Sequence, residues 1–402
     1  MQLSARLVSY FGLFSCTAAL PRSTQDASRA LSLQMAQSIM AREQGILSSG
    51  QDSSALLQAG FVQKAFHALV TQYPQHISKS AIDAYVLKSL DSVVPVVSNA
   101  TKDTTYPLDR LSNGNGLVRA WQETNNEKYH TAATALRHSI DLQPKTAEGG
   151  LWYYVYPYWS YLDGMYSFAP FMAAYSQAVE SSNKQDCQSA IVQQLDLLWR
   201  HCYDDKTGLL VHGYDARRAA VWANSISGAS PHVWGRSLGW FCMALVDLVE
   251  LLPASAREAR EYVEGKLQML LPAVVRAADG KTGGWWQVMD QPGKQGNYIE
   301  SSASSMFVYA LLKSVRLGVL GRGGDADVYS RVARRAYEYV ADSFVVHNGN
   351  GTLGWNGTVS VCSLNSTATY EYYVGRPILY NSVLGSGAFV LASLEYERLG
   401  QK

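Results

Sequence analysis

Three short stretches bring acids, a histidine and an arginine together with aromatic side chains, in patterns that suit work on a sugar acid. The first is Trp152-Tyr153-Tyr154-Val155-Tyr156-Pro157-Tyr158-Trp159-Ser160-Tyr161-Leu162-Asp163, an aromatic run that ends in one carboxylate at the start of an apolar helical stretch. An aspartate in that place can simply cap the helix. Enclosed by aromatic faces it can also hold a proton and deliver it in mildly acidic water, which is the task of a general acid. The second is Tyr106-Pro107-Leu108-Asp109-Arg110. Its acid is a loop ion pair with Arg110, a cap, or the second member of a glycosidase-like carboxyl pair with Asp163. The third is His212-Gly213-Tyr214-Asp215, followed by Trp234-Gly235-Arg236-Ser237-Leu238-Gly239-Trp240. A guanidinium between two indoles can pair the carboxylate of a uronic acid while an indole covers the ring. The bland alternatives are a structural salt bridge for Arg236 and a satisfied buried histidine for His212.

Other chemistries lack their signatures. There is no HExxH, no Walker loop and no GxSxG elbow, and the two GxG fragments (Gly114 to Gly116, Gly321 to Gly323) read as turns. No His, Asp or Glu cluster has ligand spacing, so neither a catalytic metal nor another cofactor is expected. The 34 basic and 33 acidic residues give a net charge of +1, too little field for a nucleic-acid or anionic-membrane surface. With 47% hydrophobic and 17% charged residues, the 402-residue chain has ample material for a core and is not disordered. Its 25 Tyr and 10 Trp suit sugar rings, although most such side chains serve as core.

The N-terminus reads as an address. A short basic start precedes the apolar run Leu7 to Leu20, with small residues at Thr17, Ala18 and Ala19. A signal peptide over residues 1–19 and a single secreted catalytic domain over 20–402 are expected. The run is shorter than the roughly 20 residues a membrane span needs. Sequons at Asn99, Asn350, Asn356 and Asn365 agree with secretion. Cys187, Cys202, Cys242 and Cys362 would remain after cleavage, leaving room for one or two disulfides.

The elements that position these residues recur. A glycine or small-residue stretch opens an apolar helical run, a polar turn follows, and a more charged helical run answers it. The apolar runs begin near residues 60, 116, 165, 239, 305 and 387, roughly 50 to 80 residues apart. Ser28 to Arg42 is the expected partner of the last. A helical hairpin cannot bury its face alone, so six of them are expected to close into a ring, apolar helices inside. Aromatic, glycine-rich text between hairpins would gather at one mouth. The expected fold is all-α, an (α/α)6 barrel.

Several motifs resemble one family. Leu162-Asp163-Gly164-Met165-Tyr166, His212-Gly213-Tyr214-Asp215, Trp234 to Trp240, Gly284-Trp285-Trp286-Gln287-Val288-Met289-Asp290, Asn297-Tyr298-Ile299-Glu300-Ser301-Ser302 and the closing Tyr372-Tyr373-Val374-Gly375-Arg376-Pro377 are similar to the unsaturated rhamnogalacturonyl hydrolases of glycoside hydrolase family 105. These are relatives of the unsaturated glucuronyl hydrolases of family 88. The resemblance spans about residues 50 to 400. It implies an (α/α)6 barrel, removal of the 4,5-unsaturated uronic acid that a polysaccharide lyase leaves, Asp163 as acid/base and Asp109 as the second aspartate. It carries substrate binding over to His212, Trp234, Arg236 and Trp240, with Tyr153, Trp159 and Tyr373 beside them. Two positions depart from bacterial relatives: Trp152-Tyr153 stands where some have His-Lys, and Leu57 where they have a tyrosine. Unsaturated galacturonyl groups of rhamnogalacturonan are the expected substrate and a glucuronyl-selective hydrolase the near alternative; a polysaccharide lyase using Arg236 with His212 or a tyrosine as base, or a sugar-binding toroid without turnover, are the competing readings.

Overall fold

The computed structural model describes residues 30–48, 54–76, 78–180, 184–321 and 323–400. The expected signal peptide and Cys16 lie outside them. In chain order the helices are α1 (Leu31–Ala41), α2 (Ala55–Gln72), α3 (Lys79–Val93), the short α4 (Ala100–Asp103), α5 (Gly114–Thr124), α6 (Glu127–Asp141), α7 (Asp163–Ala178), α8 (Lys184–Cys202), α9 (Gly235–Leu251), α10 (Arg257–Arg276), α11 (Ser301–Arg316), α12 (Gly324–Phe344), the short α13 (Tyr370–Val374) and α14 (Val383–Leu399). A 3-10 turn, Leu108–Asn113, leads into α5.

Burial separates two rings. Every residue of α9 from Gly235 to Val249 is buried, and likewise α11 from Ser301 to Ser314 and α14 from Val383 to Glu395. By contrast α10 buries one stripe (Ala259, Val263, Leu267, Leu270, Leu271, Val274) and turns its charged side outward. The inner helices pack in the cyclic order α2, α5 with its 3-10 turn, α7, α9, α11, α14 and back to α2, while α1 packs on α14. The first helix thus completes the last hairpin, tied by Ser32 Oγ donating to Glu397 Oε2 at 2.7 Å. This is the (α/α)6 barrel that the repeat implied.

Strands are confined to the connections. β1 (Trp159–Tyr161) pairs antiparallel with β4 (Gly213–Asp215), β2 (Tyr203–Asp204) with β3 (Leu209–Leu210), and β5 (Val345–His347) with β6 (Leu353–Trp355). The first sheet lies at the N-terminal ends of the inner helices. There a second apolar cluster (Tyr161, Trp222, Trp234, Val359, Leu364, Tyr373) seals the connections against each other. Cys187, Cys202, Cys242 and Cys362 are all buried free thiols, so the disulfides allowed by their number do not form among the described residues. No helix of the described residues is long and apolar enough to cross a membrane.

A charged cluster ties three inner helices together, through Lys64 on α2, Asp247 on α9 and Lys313 on α11. Asp247 on α9 accepts from Lys313 Nζ at 2.8 Å and from the Tyr309 hydroxyl at 2.7 Å, and its other oxygen takes Lys64. Burial pushes this carboxyl up, but the two lysines more than offset it and hold it at about 2. Asp247→Asn would leave two lysines sharing a neutral amide, and breaking such a pair costs about 3–5 kcal/mol. A large drop in the urea midpoint is expected, and an unchanged midpoint would show that water replaces the carboxylate without loss.

Candidate active site

Asp163 opens α7, directly after β1. The β1–β4 pairing sets Tyr161 opposite Gly213, and the Leu162 N–H donates to the His212 carbonyl at 3.1 Å. A Cβ at Gly213 would sit 2.5 Å from the Ser160 carbonyl oxygen, so the two strands meet this closely only because that residue is glycine. The result places His212 Nε2 3.4 Å from Asp163 Oδ2. His212 Nδ1 lies 2.8 Å from the Tyr373 hydroxyl. His212 Nε2 makes no hydrogen bond among the described residues and lies beside the carboxylate.

The second carboxyl arrives from the 3-10 turn. Gly164 lets this turn approach α7: a Cβ there would lie 2.9 Å from Leu108 Cδ1 and 3.3 Å from Tyr153 Cδ2. Asp109 Oδ2 accepts from the Tyr153 hydroxyl at 2.7 Å, while its Oδ1 is buried with no partner among the described residues. Burial pushes the Asp109 carboxyl up to about 7, and the charge of Asp163 adds to this, while the Tyr153 hydrogen bond and the charge of Arg110 pull the other way. Burial, with the charges of both aspartates, holds the Tyr153 phenol well above its ordinary value, so it stays a donor. Arg110 is not the ion-pair partner of Asp109. It turns outward to α6, donating to Ser139 Oγ at 3.1 Å and Gln143 Oε1 at 2.9 Å, and to the Tyr106 carbonyl at 2.9 Å.

Aromatic rings enclose the pair. Tyr153 stacks on Tyr161 at 4.3 Å and 11°, and Tyr161 meets His212 edge-on at 5.2 Å. Trp234 tilts against His212 at 4.8 Å, with Nε1 fixed by Gln287 Oε1 at 3.1 Å. Asp163 and Asp109 keep 9% and 6% exposure, enough to place them at the bottom of a mouth rather than in a sealed core. Trp159 stands further out, half-buried between Tyr156 and Trp222 at 5.3 and 5.2 Å.

Two residues expected at the sugar are used differently. Arg236 is 1% exposed, and its terminal nitrogens donate to the Val359 and Ser360 carbonyls at 2.6 and 2.7 Å. With the indole of Trp234 at 4.8 Å and Glu300 at 3.9 Å, it clamps the 358–360 segment and has no free face toward the mouth. Trp240 lies one turn further along α9, packed on Phe61 and Tyr166 at 4.8 and 4.4 Å, so its ring faces core. Glu300 caps α11 through the Ala303 N–H at 2.7 Å. Asp215 is held by the Arg217, Ala219 and Ala220 N–H groups, each at 2.8 Å, and serves the loop. Leu57 is core.

Ser237 was not singled out as a functional residue. Its hydroxyl donates to Asp163 Oδ2 from the first turn of α9. The available signal was its place two residues before the repeating apolar run, where small polar side chains face the ring axis. Ser237→Ala removes a charge-assisted bond of about 1.5–3 kcal/mol, so a loss of roughly 10- to 100-fold in kcat is expected, with KM little changed. A kcat within a factor of two of the parent would remove Ser237 from the site.

Residues 34–400 match the model of Glycosyl Hydrolase Family 88. A solved glycoside hydrolase of family 105 from C. acetobutylicum is 32% identical, with a TM-score of 0.81 over 92% of this chain and 100% of that one. The unsaturated glucuronyl hydrolase of Bacillus sp. GL1 shares the fold at 12% identity, with a TM-score of 0.64 over 93% of this chain and 96% of that one. A 24.9 kDa protein in the picA locus of Rhizobium radiobacter is 37% identical over 199 residues, 48% of this chain and 83% of its own. The carboxyl pair, the histidine beside it and the aromatic mouth therefore sit in a chain that belongs to Glycosyl Hydrolase Family 88, with a family 105 glycoside hydrolase among its relatives.

Proposed function

We propose that the protein is a secreted hydrolase that removes a 4,5-unsaturated uronic acid from the non-reducing end of an oligosaccharide, preferring the unsaturated galacturonyl group of rhamnogalacturonan fragments. The observation that carries this is the pair of enclosed carboxyls, one held by Ser237 with His212 beside it and the other held by Tyr153. The family, the motif resemblance and the family 105 relative support the substrate class.

The chemistry follows from the enol ether in such a sugar. Protonated Asp163 gives its proton to C4, the C4=C5 electrons form the new C–H bond, and positive charge develops at C5 and the ring oxygen. Water adds to C5 and returns its proton to the Asp163 carboxylate. The C5 hemiketal then opens to a ketone, and the hemiacetal left at C1 releases the aglycone alcohol. One acid/base group serves both steps. Asp109 would orient water or a sugar hydroxyl, with the Tyr153 phenol fixing its geometry. A second assignment has its own observation: burial keeps Asp109 protonated up to about pH 7, which suits it to be the donor, with Asp163 receiving the water proton.

The conjugated C4=C5 uronate absorbs in the ultraviolet, so its loss reports the reaction. Lyase-made disaccharides of rhamnogalacturonan and of a glucuronan are the two substrates to compare. Faster loss on the first is expected. Faster loss on the second would make the protein a glucuronyl hydrolase, and band growth on intact polymer would make it a lyase. Secretion is tested by sequencing the N-terminus of protein recovered from the medium, where a start near residue 20 is expected. A start at Met1 would contradict it.

A further inference from the structure

Asn99, Asn350, Asn356 and Asn365 stand in Asn-X-Ser/Thr triplets, and all four are exposed. Three of them use the side-chain oxygen locally. Asn99 Oδ1 accepts from the Lys102 N–H at 3.0 Å, Asn350 Oδ1 from the Thr352 hydroxyl at 2.8 Å, and Asn356 Oδ1 from the Gly357 N–H at 2.8 Å. The amide nitrogen of all four donates to no acceptor among the described residues. It is otherwise at Asn113, Asn297 and Asn348, outside such triplets, whose amide nitrogens donate to the Leu56 and Gln291 carbonyls and to Thr352 Oγ1. An exposed nitrogen that the fold does not use is the atom to which an N-linked glycan is joined.

Two of the four flank an apolar surface. Residues 355–358 pair with residues 379–381: the Trp355 N–H donates to Asn381 Oδ1 at 2.9 Å, the Asn381 N–H to the Trp355 carbonyl at 2.7 Å, and the Leu379 N–H to the Thr358 carbonyl at 2.8 Å. Along this segment Ile378, Leu379 and Tyr380 are 41%, 43% and 52% exposed. Tyr380 lies across the bare backbone of β6, where a Cβ at Gly354 would collide with its hydroxyl oxygen, and that hydroxyl donates to Asn348 Oδ1 at 3.4 Å. The ring is thus set between the β5–β6 turn that carries Asn350 and the end of β6, next to Asn356. Consecutive exposed apolar side chains mark a surface that meets a partner, and the face of a sugar ring packs well on a tyrosine.

We propose that Asn350 and Asn356 carry N-linked glycans whose first sugars cover Ile378, Leu379 and Tyr380. This rests on the secretion inferred above, through a pathway that supplies a lipid-linked diphospho-oligosaccharide as donor. Transfer forms a bond from Nδ2 to C1 of the first N-acetylglucosamine and breaks the bond from C1 to the diphosphate oxygen, while Nδ2 gives up one proton. Thr358, the hydroxyl residue of the second triplet, is fully buried, its Oγ1 bonded to Ser301 Oγ and Trp355 Nε1, each at 2.8 Å. The transfer at Asn356 therefore precedes folding.

Protein from the medium, or from the cells if none is exported, is denatured, treated with a glycan-releasing amidase in heavy-oxygen water and mapped by peptide mass spectrometry. Labelled aspartate in place of Asn350 and Asn356 is expected. Unlabelled asparagine at either position overturns the proposal, and overturns it alone when the same chain starts near residue 20; with a start at Met1, secretion fails too. The cover is read by sedimentation velocity on the folded protein. Releasing the glycans should raise self-association several-fold in the parent and little in Tyr380→Ser, with turnover unchanged in both. No rise in the parent would overturn the cover, and an equal rise in Tyr380→Ser would place the uncovered surface elsewhere and overturn it as well.

Discussion

Asp163→Asn is expected to lower turnover of an unsaturated disaccharide by about 10²- to 10⁴-fold, the usual contribution of a general acid. Asparagine keeps the shape and keeps an acceptor for Ser237, so packing and substrate affinity should change little. What it removes is the ability to give and retake a proton. The parallel substitution Asp109→Asn separates the two assignments of the acid. If Asp109 only orients water or hydroxyls, its amide should retain more activity than Asp163→Asn and should not abolish the slow proton-transfer step. Near-normal turnover in Asp163→Asn, with collapse in Asp109→Asn, would hand the donor role to Asp109. Near-normal turnover in both would remove the chemistry from this mouth altogether.

Asp109→Asn carries the second large effect, on stability. The ordinary value of an aspartate is 3.8, and burial lifts Asp109 to about 7 in the folded chain. Below about pH 4 the group is protonated in both states and favours neither. As pH rises from there to about 7, the unfolded chain releases this proton while the folded chain retains it, so stability falls. Between pH 5 and pH 8 this one group should cost the parent on the order of 2–3 kcal/mol relative to the variant. Unmatched changes in side-chain bonding shift the variant by a constant, so the reading is the change of the difference with pH. Urea unfolding of both proteins at pH 5 and pH 8 measures it. A difference that stays flat with pH would mean that Asp109 ionises in the fold as freely as it does in water. Tyr153→Phe removes the one hydrogen bond that favours the ionised form of Asp109, and should steepen this fall of stability with pH; it moves the alkaline limb of activity upward only where Asp109 is the donor.

Much of the barrel was legible because its period is coarse. Apolar runs recurring with polar partners require stacked hairpins, and even the wrap-around pairing of α1 with α14 followed from the leftover N-terminal helix. The starts of the inner helices were legible less well. α9 begins at Gly235 and α11 at Ser301, four residues ahead of the apolar runs noted at 239 and 305. Their first turns are Gly-Arg-Ser and Ser-Ser-Ala-Ser, polar because their side chains bond the connections at that end of the barrel: Arg236 the Val359 and Ser360 carbonyls, Ser301 the Thr358 hydroxyl, Ser304 the Trp285 N–H and Ser237 the Asp163 carboxylate. The same property hid Ser237.

Within the site, a pattern of residue types could bring Asp163, His212 and Tyr373 into consideration, but not fix what each touches. Arg236 illustrates the difference. Between two tryptophans it reads as a uronate clamp, yet the carbonyls of Val359 and Ser360 occupy it, more than a hundred residues away in the chain. Trp240 is alike: four residues beyond Arg236 on a helix, it falls on the same face but one turn deeper, among Phe61 and Tyr166. Nor could spacing show that Arg110 would turn away from Asp109 to Ser139 and Gln143, leaving that carboxyl to Tyr153. Long-range partners decide which of two neighbouring charges becomes functional.

In the proposed reaction a proton from the protein enters at C4 before the aglycone leaves. Turnover of the unsaturated disaccharide in D2O, quenched early and followed by NMR, tests this most directly. One deuteron is expected at C4 on a single diastereotopic position, delivered from one face by the enclosed carboxyl, with a collapse of that signal in Asp163→Asn. Ordinary hydrolysis at C1 would release the unsaturated sugar intact and let it tautomerise in solution, placing deuterium at C4 on both faces. That mixture, from the parent enzyme at early times, would rule out proton delivery to C4 by the protein.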